Sequence, residues 1–337
     1  MKQAGTIRVG LIGYGLAGSV FHAPLIRAAA RLELAAVATS RAVEGVRRTD
    51  AEMLVADPDI DLVVVASPNK SHFELARAAL ENGKHVVVDK PFTSSVAEAD
   101  ELIALAGRKG LMLTVFHNRR WDSDYLTVKR LLATGRLGEL RLFDAHWDRF
   151  RPELRPGWKD DGDSGAGVLN DLGPHLIDQA LQLFGRPESL LADVATQRPG
   201  SRVDDYFALT LTYGPMRVLL ASSALVADPR PRFAVHGSGG SFVKYGLDPQ
   251  EAALKDGADP LSPGFGSDPS DGLLTDGEGA QASLPSAQGD YLSYYQAVAA
   301  AILDGAPTPV DPADAREGLR LIALARQSAR EGRRIPV

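Results

Sequence analysis

Apolar residues cluster in short runs over the first third of the chain and alternate with polar ones over the rest. Between residue 7 and about 115, "IRVGLIG", "LELAAVATS", "DLVVVASP", "HVVVD" and "LMLTVFHN" are apolar runs of strand length. Helical patterns separate them: one from Ala17 to about Arg31, then "SHFELARAALENG", with Gly83 placed to stop it, then "SVAEADELIALAGRKG". Strands with no polar face have no side for water, so they predict a parallel sheet covered by helices on both faces. The stretch after Ser40 is short, which calls for a compact second crossover.

Past about residue 120 the pattern changes. A helix, "DYLTVKRLLATGRLG", leads into "ELRLFDAHWDRFR", and "ESLLADVATQR", "YFALTLTYG", "MRVLLASSAL" and "RFAVHGSGGSFVKYG" come after it. Their alternation predicts a largely antiparallel sheet with one face packed and one open. Residues 256–290, rich in Gly, Pro, Ser and Asp, read as a long loop, and "DAREGLRLIALARQSAREG" as a closing helix. The predicted organisation is α/β: a parallel-sheet domain over residues 1–120 and an α+β domain over 121–337, whose last helix is able to pack back on the first.

Composition narrows the function. The 337 residues are 45% hydrophobic and 24% charged, as in ordinary globular proteins. A net charge of -6 argues against non-specific nucleic-acid binding, which needs a positive footprint. With no cysteine, disulfides, thiolate nucleophiles and Cys-ligated metals are excluded. "MKQAGTIRVGLIGYG" has no h-region of a signal peptide, and no apolar run approaches the roughly 18 residues a membrane span requires. A soluble cytoplasmic protein without membrane partners is expected. An open sheet face is a natural contact surface, so a homodimer or homotetramer is expected too.

Candidate chemistry begins at "GLIGYGLAGSVFHAP", where Gly13, Gly15 and Gly18 form GxGxxG between a strand and a helix. The glycines allow a tight turn, close approach of a pyrophosphate and close helix–strand packing, and the helix start, with Leu16 and Ala17, offers free N–H groups to an anion. A dinucleotide-binding Rossmann fold is the expected first domain, with a purely structural glycine turn as the other reading. At the end of the second strand, where an NAD-specific protein usually has an acid, stand Thr39, Ser40 and Arg41. Hydroxyls and a guanidinium suit a 2′-phosphate, so NADP is favoured over NAD, with a surface charge as the other reading of Arg41. After the third strand come Ser67, Pro68, Asn69 and His72, where ligands of such sheets bind; His72 reads equally as a first-turn surface histidine.

The fourth strand ends in Asp89, Lys90 and Pro91, and a strand buried on both faces has no room for that charged pair except at its edge, where taken alone the pair reads as a solvated turn. In "GAGVLNDLGPHLIDQALQLFG", Asp171, His175 and Asp178 share one helical face if the helix begins near Asp171, with Pro174 in its first turn. A histidine near a helix start beside carboxylates suits proton transfer, although the same spacing also describes an ordinary helix surface. No ligand set for a metal is completed. Asn118, Arg120 and Trp121, with His117 and Arg119, come after the fifth strand; Arg149, Arg151, Trp158 and Lys159 lie in the second domain. The first group borders the cleft at the strand ends and the second is placed to hydrogen-bond a substrate, and each residue also admits a packing or surface role. Tyr291, Tyr294 and Tyr295 read as helix packing, one of them within reach of the pocket.

Together GxGxxG, "ASPNKSH", "DKP" and "DLGPH", in that order over nearly the whole chain, resemble the glucose–fructose oxidoreductase/inositol dehydrogenase/rhizopine catabolism (Gfo/Idh/MocA) family. "NRRWD", "HWDRFRPELRPGW" and "GSDPSDGLL" resemble its NADP-dependent scyllo-inositol dehydrogenase branch. The family motif is Glu-Lys-Pro; here the acid is Asp89, one methylene shorter, and in the family the peptide before the proline can be cis. The resemblance implies that Lys90 reaches both nicotinamide ribose and substrate oxygen, that Asp171 and His175 form the proton relay, and that Asp89 borders the cofactor. It implies hydride transfer between the nicotinamide and a secondary alcohol or ketone of a cyclic polyol or sugar. The other readings are a 1,5-anhydrofructose-type reductase, a cofactor-dependent glycosidase, and a non-catalytic NAD(P)-binding regulator, which would need the glycine loop but not the relay.

Overall fold

A computed structural model describes residues 5–154 and 166–337, and the counts of strands and helices are of these residues. Trp158 and Lys159 lie outside them. The chain forms two units: residues 1–121, 249–266 and 290–316 make the first, and 122–248, 267–289 and 317–337 the second. The first crossing falls beside residue 120; the two later returns are not described by a single boundary.

Along the chain, β1 (Ile7–Ile12) leads through a π-helical turn, Ala17–His22, into α1 (Ala23–Ala28), which stops short of the expected Arg31. Next come β2 (Leu32–Ala38), β3 (Arg47–Thr49), α2 (Ala51–Ala56), β4 (Leu62–Val65), α3 (His72–Glu81), β5 (His85–Val88), α4 (Val96–Lys109) and β6 (Leu113–Val115). All pairings are parallel, in the order β3-β2-β1-β4-β5-β6. β3 is an edge strand that the apolar pattern does not announce, because Arg47 and Arg48 face solvent. Val63, Val64, Val65, Val86, Val87 and Val88 are wholly buried, as a sheet covered on both faces demands. Each such side chain contributes roughly 1.5–3 kcal/mol by burial. Local signals agree with this packing. Gly83 takes φ +74° just past α3. Ser95 caps α4 by accepting from the Glu98 N–H, and Glu98 accepts from the Ser95 N–H in return.

The second unit opens with α5 (Ser123–Ala133), β7 (Leu140–His146) and α6 (Val168–Phe184). After these come β8 (Ser189–Ala195), β9 (Tyr206–Tyr213), β10 (Met216–Ser223), β11 (Phe233–Gly237) and β12 (Gly240–Lys244). Beyond α7 (Gln250–Lys255) in the first unit are β13 (Gly272–Asp276) and β14 (Gln281–Leu284). The chain ends with α8 (Leu292–Asp304), α9 (Pro312–Glu331) and β15 (Ile335–Pro336). The nine-stranded sheet runs β14-β13-β12-β11-β7-β10-β9-β8-β15, antiparallel except where β10 meets β7. Residues 256–290 therefore hold a hairpin rather than one long loop. Only Leu274 and Gly272 of that hairpin are buried, so Gly and Asp masked its weak alternation.

α6 packs on β9 and β10, joining Leu172, Leu176, Ile177 and Ala180 to Phe143, Phe207, Leu209, Val218, Leu220 and Phe233 in one core. Strand alternation puts Leu142, Asp144 and His146 on the opposite face. That face also carries exposed Leu191 and Leu273.

Candidate active site

In the first unit the three glycines answer to three different surroundings. Gly13, at φ +97°, ends β1 so close to β4 that a Cβ would sit 2.7 Å from the carbonyl carbon of Ala66. A Cβ on Gly18 would press on the carbonyl of Gly13, 3.0 Å from its carbon. A Cβ on Gly15 would meet nothing within 4 Å. The protein's own packing thus requires two of the glycines, and the third leaves bare backbone at the start of a helix, beside half-buried Ala17 and exposed Leu16. That is the shape a pyrophosphate needs, and the loop fits a nicotinamide dinucleotide.

Past β2, the Thr39 hydroxyl accepts from the Arg41 N–H (3.1 Å), a turn that presents Ser40 and Arg41 exposed. Nearby Arg47 is engaged with Asp57. Past β4, Ser67 and Ser71 share a hydroxyl hydrogen bond (2.7 Å), and the Ser71 hydroxyl donates to the Pro68 carbonyl. Pro68 is exposed and Asn69 half-buried. His72 departs from the reading of a first-turn surface histidine. It is buried, with Nδ1 2.8 Å from the Pro91 carbonyl and Nε2 2.9 Å from the Ser67 carbonyl. It braces the turns after β4 and β5.

β5 delivers Asp89 and Lys90 half-buried at its carboxyl end, where Asp89 Oδ1 accepts from the Lys90 N–H (2.8 Å). The Lys90–Pro91 peptide is cis. Burial works to raise the Asp89 carboxyl, but His22, Lys90 and His72 outweigh it and hold it below the usual carboxylate range. His22 itself, which the sequence did not single out, is wholly buried. Its Nδ1 is 2.6 Å from the Tyr295 hydroxyl and its Nε2 3.9 Å from Asp89 Oδ1.

The residues after β6 serve their own unit. Arg119 is buried between Glu251 and the Tyr291 hydroxyl. Burial would raise Glu251, yet Arg119 and Lys255 bring it down to about 2. Arg120, expected at a substrate cleft, pairs with Asp314 (3.0 Å). Asn118 is buried, and Trp121 meets the Tyr294 ring edge-on at 5.5 Å. The cause is the returning segments 249–266 and 290–316: Gln250 donates to the Trp121 carbonyl and accepts from the Tyr291 N–H, pinning both returns to this turn.

In the second unit α6 begins at Val168, not at Asp171, so Pro174 lies inside the helix. Its N-terminus is capped from afar: Asp204 accepts from the N–H of Val168 with its carbonyl and from that of Leu169 with its carboxylate. Gly167, at φ +95°, leaves room for that carboxylate, which a Cβ would strike. Asp171 in the first turn pairs with Arg149 (3.3 Å), joining two of the residues singled out from sequence. One turn on, His175 is buried and stacks on Trp147, ring centroids 5.8 Å apart and 28° from parallel. Asp178 is buried further along α6. The Arg232 guanidinium lies 5.2 Å from the Trp147 ring centre and donates to Gln179 of α6 (2.7 Å). The helix thus holds its histidine against a braced aromatic, within a turn of an ion-paired carboxylate. Among the described residues, no cluster of His, Asp or Glu suits a metal ion.

Residues 7–117 match the family model described as "Oxidoreductase family, NAD-binding Rossmann fold", and residues 129–337 the one described as "Oxidoreductase family, C-terminal alpha/beta domain". The chain belongs to the Gfo/Idh/MocA oxidoreductase family. Within it, the chain is 47% identical over 334 residues to the uncharacterized oxidoreductase YdgJ of Escherichia coli, covering 96% of both. It is 40% identical over 347 residues to the scyllo-inositol 2-dehydrogenase (NADP(+)) IolW of Bacillus subtilis, covering 99% of this chain and 97% of that one. The solved structure of the "putative oxidoreductase yvaA" from B. subtilis superposes with a TM-score of 0.96 at 38% identity over the whole of both chains. The protein is therefore an oxidoreductase with an NAD(P)-binding Rossmann domain and the two-domain fold of its family. Among the described residues no helix is long and apolar enough to cross a membrane.

Proposed function

We propose that the protein transfers a hydride between NADP and a secondary alcohol or ketone of a cyclic polyol or sugar, a scyllo-inositol-like ring being the leading substrate. The observation that carries this reading is bare Gly15 and the Asp89–Lys90 edge just beyond the carboxyl ends of β1 and β5, strands of one parallel sheet, where such sheets bind ligands. Full-length likeness to an NADP-dependent inositol dehydrogenase supports the substrate class. When bound, the dinucleotide supplies a nicotinamide ring able to accept or donate a hydride.

In this reading the backbone of residues 13–18 holds the pyrophosphate, and Ser40 and Arg41 hold the 2′-phosphate. The Lys90 ammonium hydrogen-bonds the reacting oxygen and favours developing alkoxide charge. His175 takes the hydroxyl proton on oxidation and returns it on reduction, while Asp171 stabilises the imidazolium. Arg149, paired with Asp171, orients that carboxylate. A partial likeness, 34% over 148 residues, to a 1,5-anhydro-D-fructose reductase of Ensifer adhaerens favours sugar-ketone reduction as the second reading, with the same groups run in reverse. We also place a second copy of the chain on the open face of the nine-stranded sheet, where Leu191 and Leu273 are exposed.

The test is NADPH fluorescence on titration with the protein, then nicotinamide absorbance with inositol isomers and aldoses under both coenzymes. Turnover with a polyol and NADP is expected. Binding without turnover on the whole panel would instead mark a regulator.

A further inference from the structure

The helix that opens at the glycine loop contains a wide π-helical turn, Ala17–His22, closed by the Ala23 N–H donating to the Gly18 carbonyl. Such a turn holds one residue more than an α turn, rotates the residues after it to a new face, and recurs at functional sites. Here it carries His22 to the interior, wholly buried against Phe116, ring centroids 4.4 Å apart. Buried imidazole nitrogens without partners are costly. Nδ1 has one, the Tyr295 hydroxyl at 2.6 Å. Nε2 has no hydrogen-bond partner and faces the Asp89 carboxylate at 3.9 Å. Burial, Tyr294 and Asp89 push the Tyr295 phenol well above its ordinary value, so its hydroxyl keeps its proton. A hydroxyl that donates to Nδ1 leaves the ring proton on Nε2, aimed at the carboxylate.

We propose that His22 is a positioning residue: held by Tyr295 on one ring nitrogen, it directs the N–H of the other at Asp89 and so fixes the edge from which Lys90 reaches the reacting oxygen. The proposal rests on the role given to Lys90 above, and extends it from the strand end to the glycine-loop helix and to α8. Because Asp89 Oδ1 also accepts from the Lys90 N–H, a displaced carboxylate displaces the start of the lysine with it. Asp89 is one methylene shorter than glutamate, which leaves less slack between the carboxylate and that backbone.

Three measurements on the full chain test it. In 15N-histidine spectra of the protein without dinucleotide, the signal lost in His22→Gln is expected to report a protonated Nε2 that shifts in Asp89→Asn. A bare Nε2, or a signal indifferent to Asp89→Asn, overturns the proposal. After reductive 13C-methylation, which keeps the amine charged, the signal lost in Lys90→Arg is expected to move in His22→Leu and return toward its native position in His22→Gln, since glutamine retains an N–H donor. No movement in His22→Leu overturns it. In turnover, His22→Leu is expected to lower kcat about tenfold with little change in NADPH affinity, and His22→Gln to recover most of that loss. Equal losses in both variants, with parallel falls in affinity and melting temperature, mark a packing residue only and overturn it. Should the native protein turn over no member of the panel, the proposed reaction fails, while the two spectroscopic arms still decide the role of His22.

Discussion

The two sheets of this protein carry their chemistry in opposite ways. In the parallel sheet the carboxyl-terminal halves of the central strands are apolar and buried, and the groups that can meet a ligand gather in the turns beyond them: Gly13 to Gly18, Ser40 and Arg41, Ser67, Asp89 and Lys90. In the antiparallel sheet the groups of interest sit along regular elements. Asp171, His175 and Asp178 lie on α6, Trp147 just beyond β7 and Arg232 just before β11, packed within a core. Turns at strand ends expose backbone and side chains to a ligand without disturbing packing, whereas a histidine inside a helix–sheet core needs its neighbours to hold it. Substitutions of the exposed or half-buried groups of the first region, Gly15, Ser40, Arg41 and Lys90, should therefore separate binding from stability cleanly, and those in the second should mix them.

The largest expected effect tests whether both regions belong to one reaction. Lys90→Ala and His175→Ala should each lower the turnover rate at least about 10²-fold, the usual scale for acid–base and charge-stabilising groups. NADPH affinity should fall more for Lys90→Ala. Near-native turnover in either variant removes that residue from the proposed reaction.

The glycine loop sharpens the contrast within the first region. Gly13→Ala and Gly18→Ala drive a methyl into backbone, and Gly13 also needs positive φ, so each should destabilise by about 1–3 kcal/mol. Gly15→Ala meets open space and should leave the melting temperature unchanged while weakening dinucleotide binding. Thermal melts beside NADPH titrations measure both. Equal destabilisation by all three substitutions would mean that Gly15 serves folding and not a ligand.

Legibility divides along the same line. Apolar runs and glycine punctuation announce the parallel strands, because burial on both faces leaves an unmistakable signature. They do not announce β3, whose Arg47 and Arg48 are exposed at the sheet edge, nor the β13–β14 hairpin, with little of its surface buried. Side-chain roles set by distant partners are the least visible. Arg120 reads as a cleft residue, and its pairing with Asp314, 194 residues away, is invisible until the chain folds. His72 is a brace because Pro91 and Ser67 offer it carbonyls. His22 gains meaning only from Tyr295, 273 residues on. The Asp171–His175 spacing was legible, but the helix starts earlier than its proline suggested, since Asp204 caps it from another segment.

A smaller effect concerns coenzyme choice. Arg41→Ala should weaken NADPH by about tenfold, some 1.4 kcal/mol, and leave NADH nearly untouched, since an exposed guanidinium on a phosphate is a charge-assisted but solvated contact. Equal weakening of both coenzymes would assign Arg41 to the loop's shape. Arg47, already paired with Asp57, should change neither.

The smallest effect compares one titrating group from each sheet, and the two have opposite signs. On β5, His85 Nδ1 accepts from the Met112 N–H (2.9 Å), and burial lowers its pKa below 6.5, against the opposing pull of Asp61. A lowered folded value favours neutral imidazole, so this contribution is fully present above pH 6.5 and is lost as pH falls through the folded value. On the open face, Asp144 has one carboxylate oxygen buried without a hydrogen-bond partner, and burial raises its pKa above 3.8, with His146, His236 and Arg230 opposing. A raised carboxylate contributes stability below pH 3.8 and loses it as pH climbs through the folded value, so at pH 7 the ionised form is a liability. Asp144→Asn should accordingly stabilise at pH 7, by less than about 1 kcal/mol because the site is only half-buried, and the gain should vanish toward pH 4. His85→Gln should flatten the loss of stability below pH 6.5 without helping at pH 7. Melting temperatures across pH 4 to 8 distinguish them, and Asp144→Asn lowering stability at pH 7 would mean that the open face holds its carboxylate charged in the protein as it exists in solution.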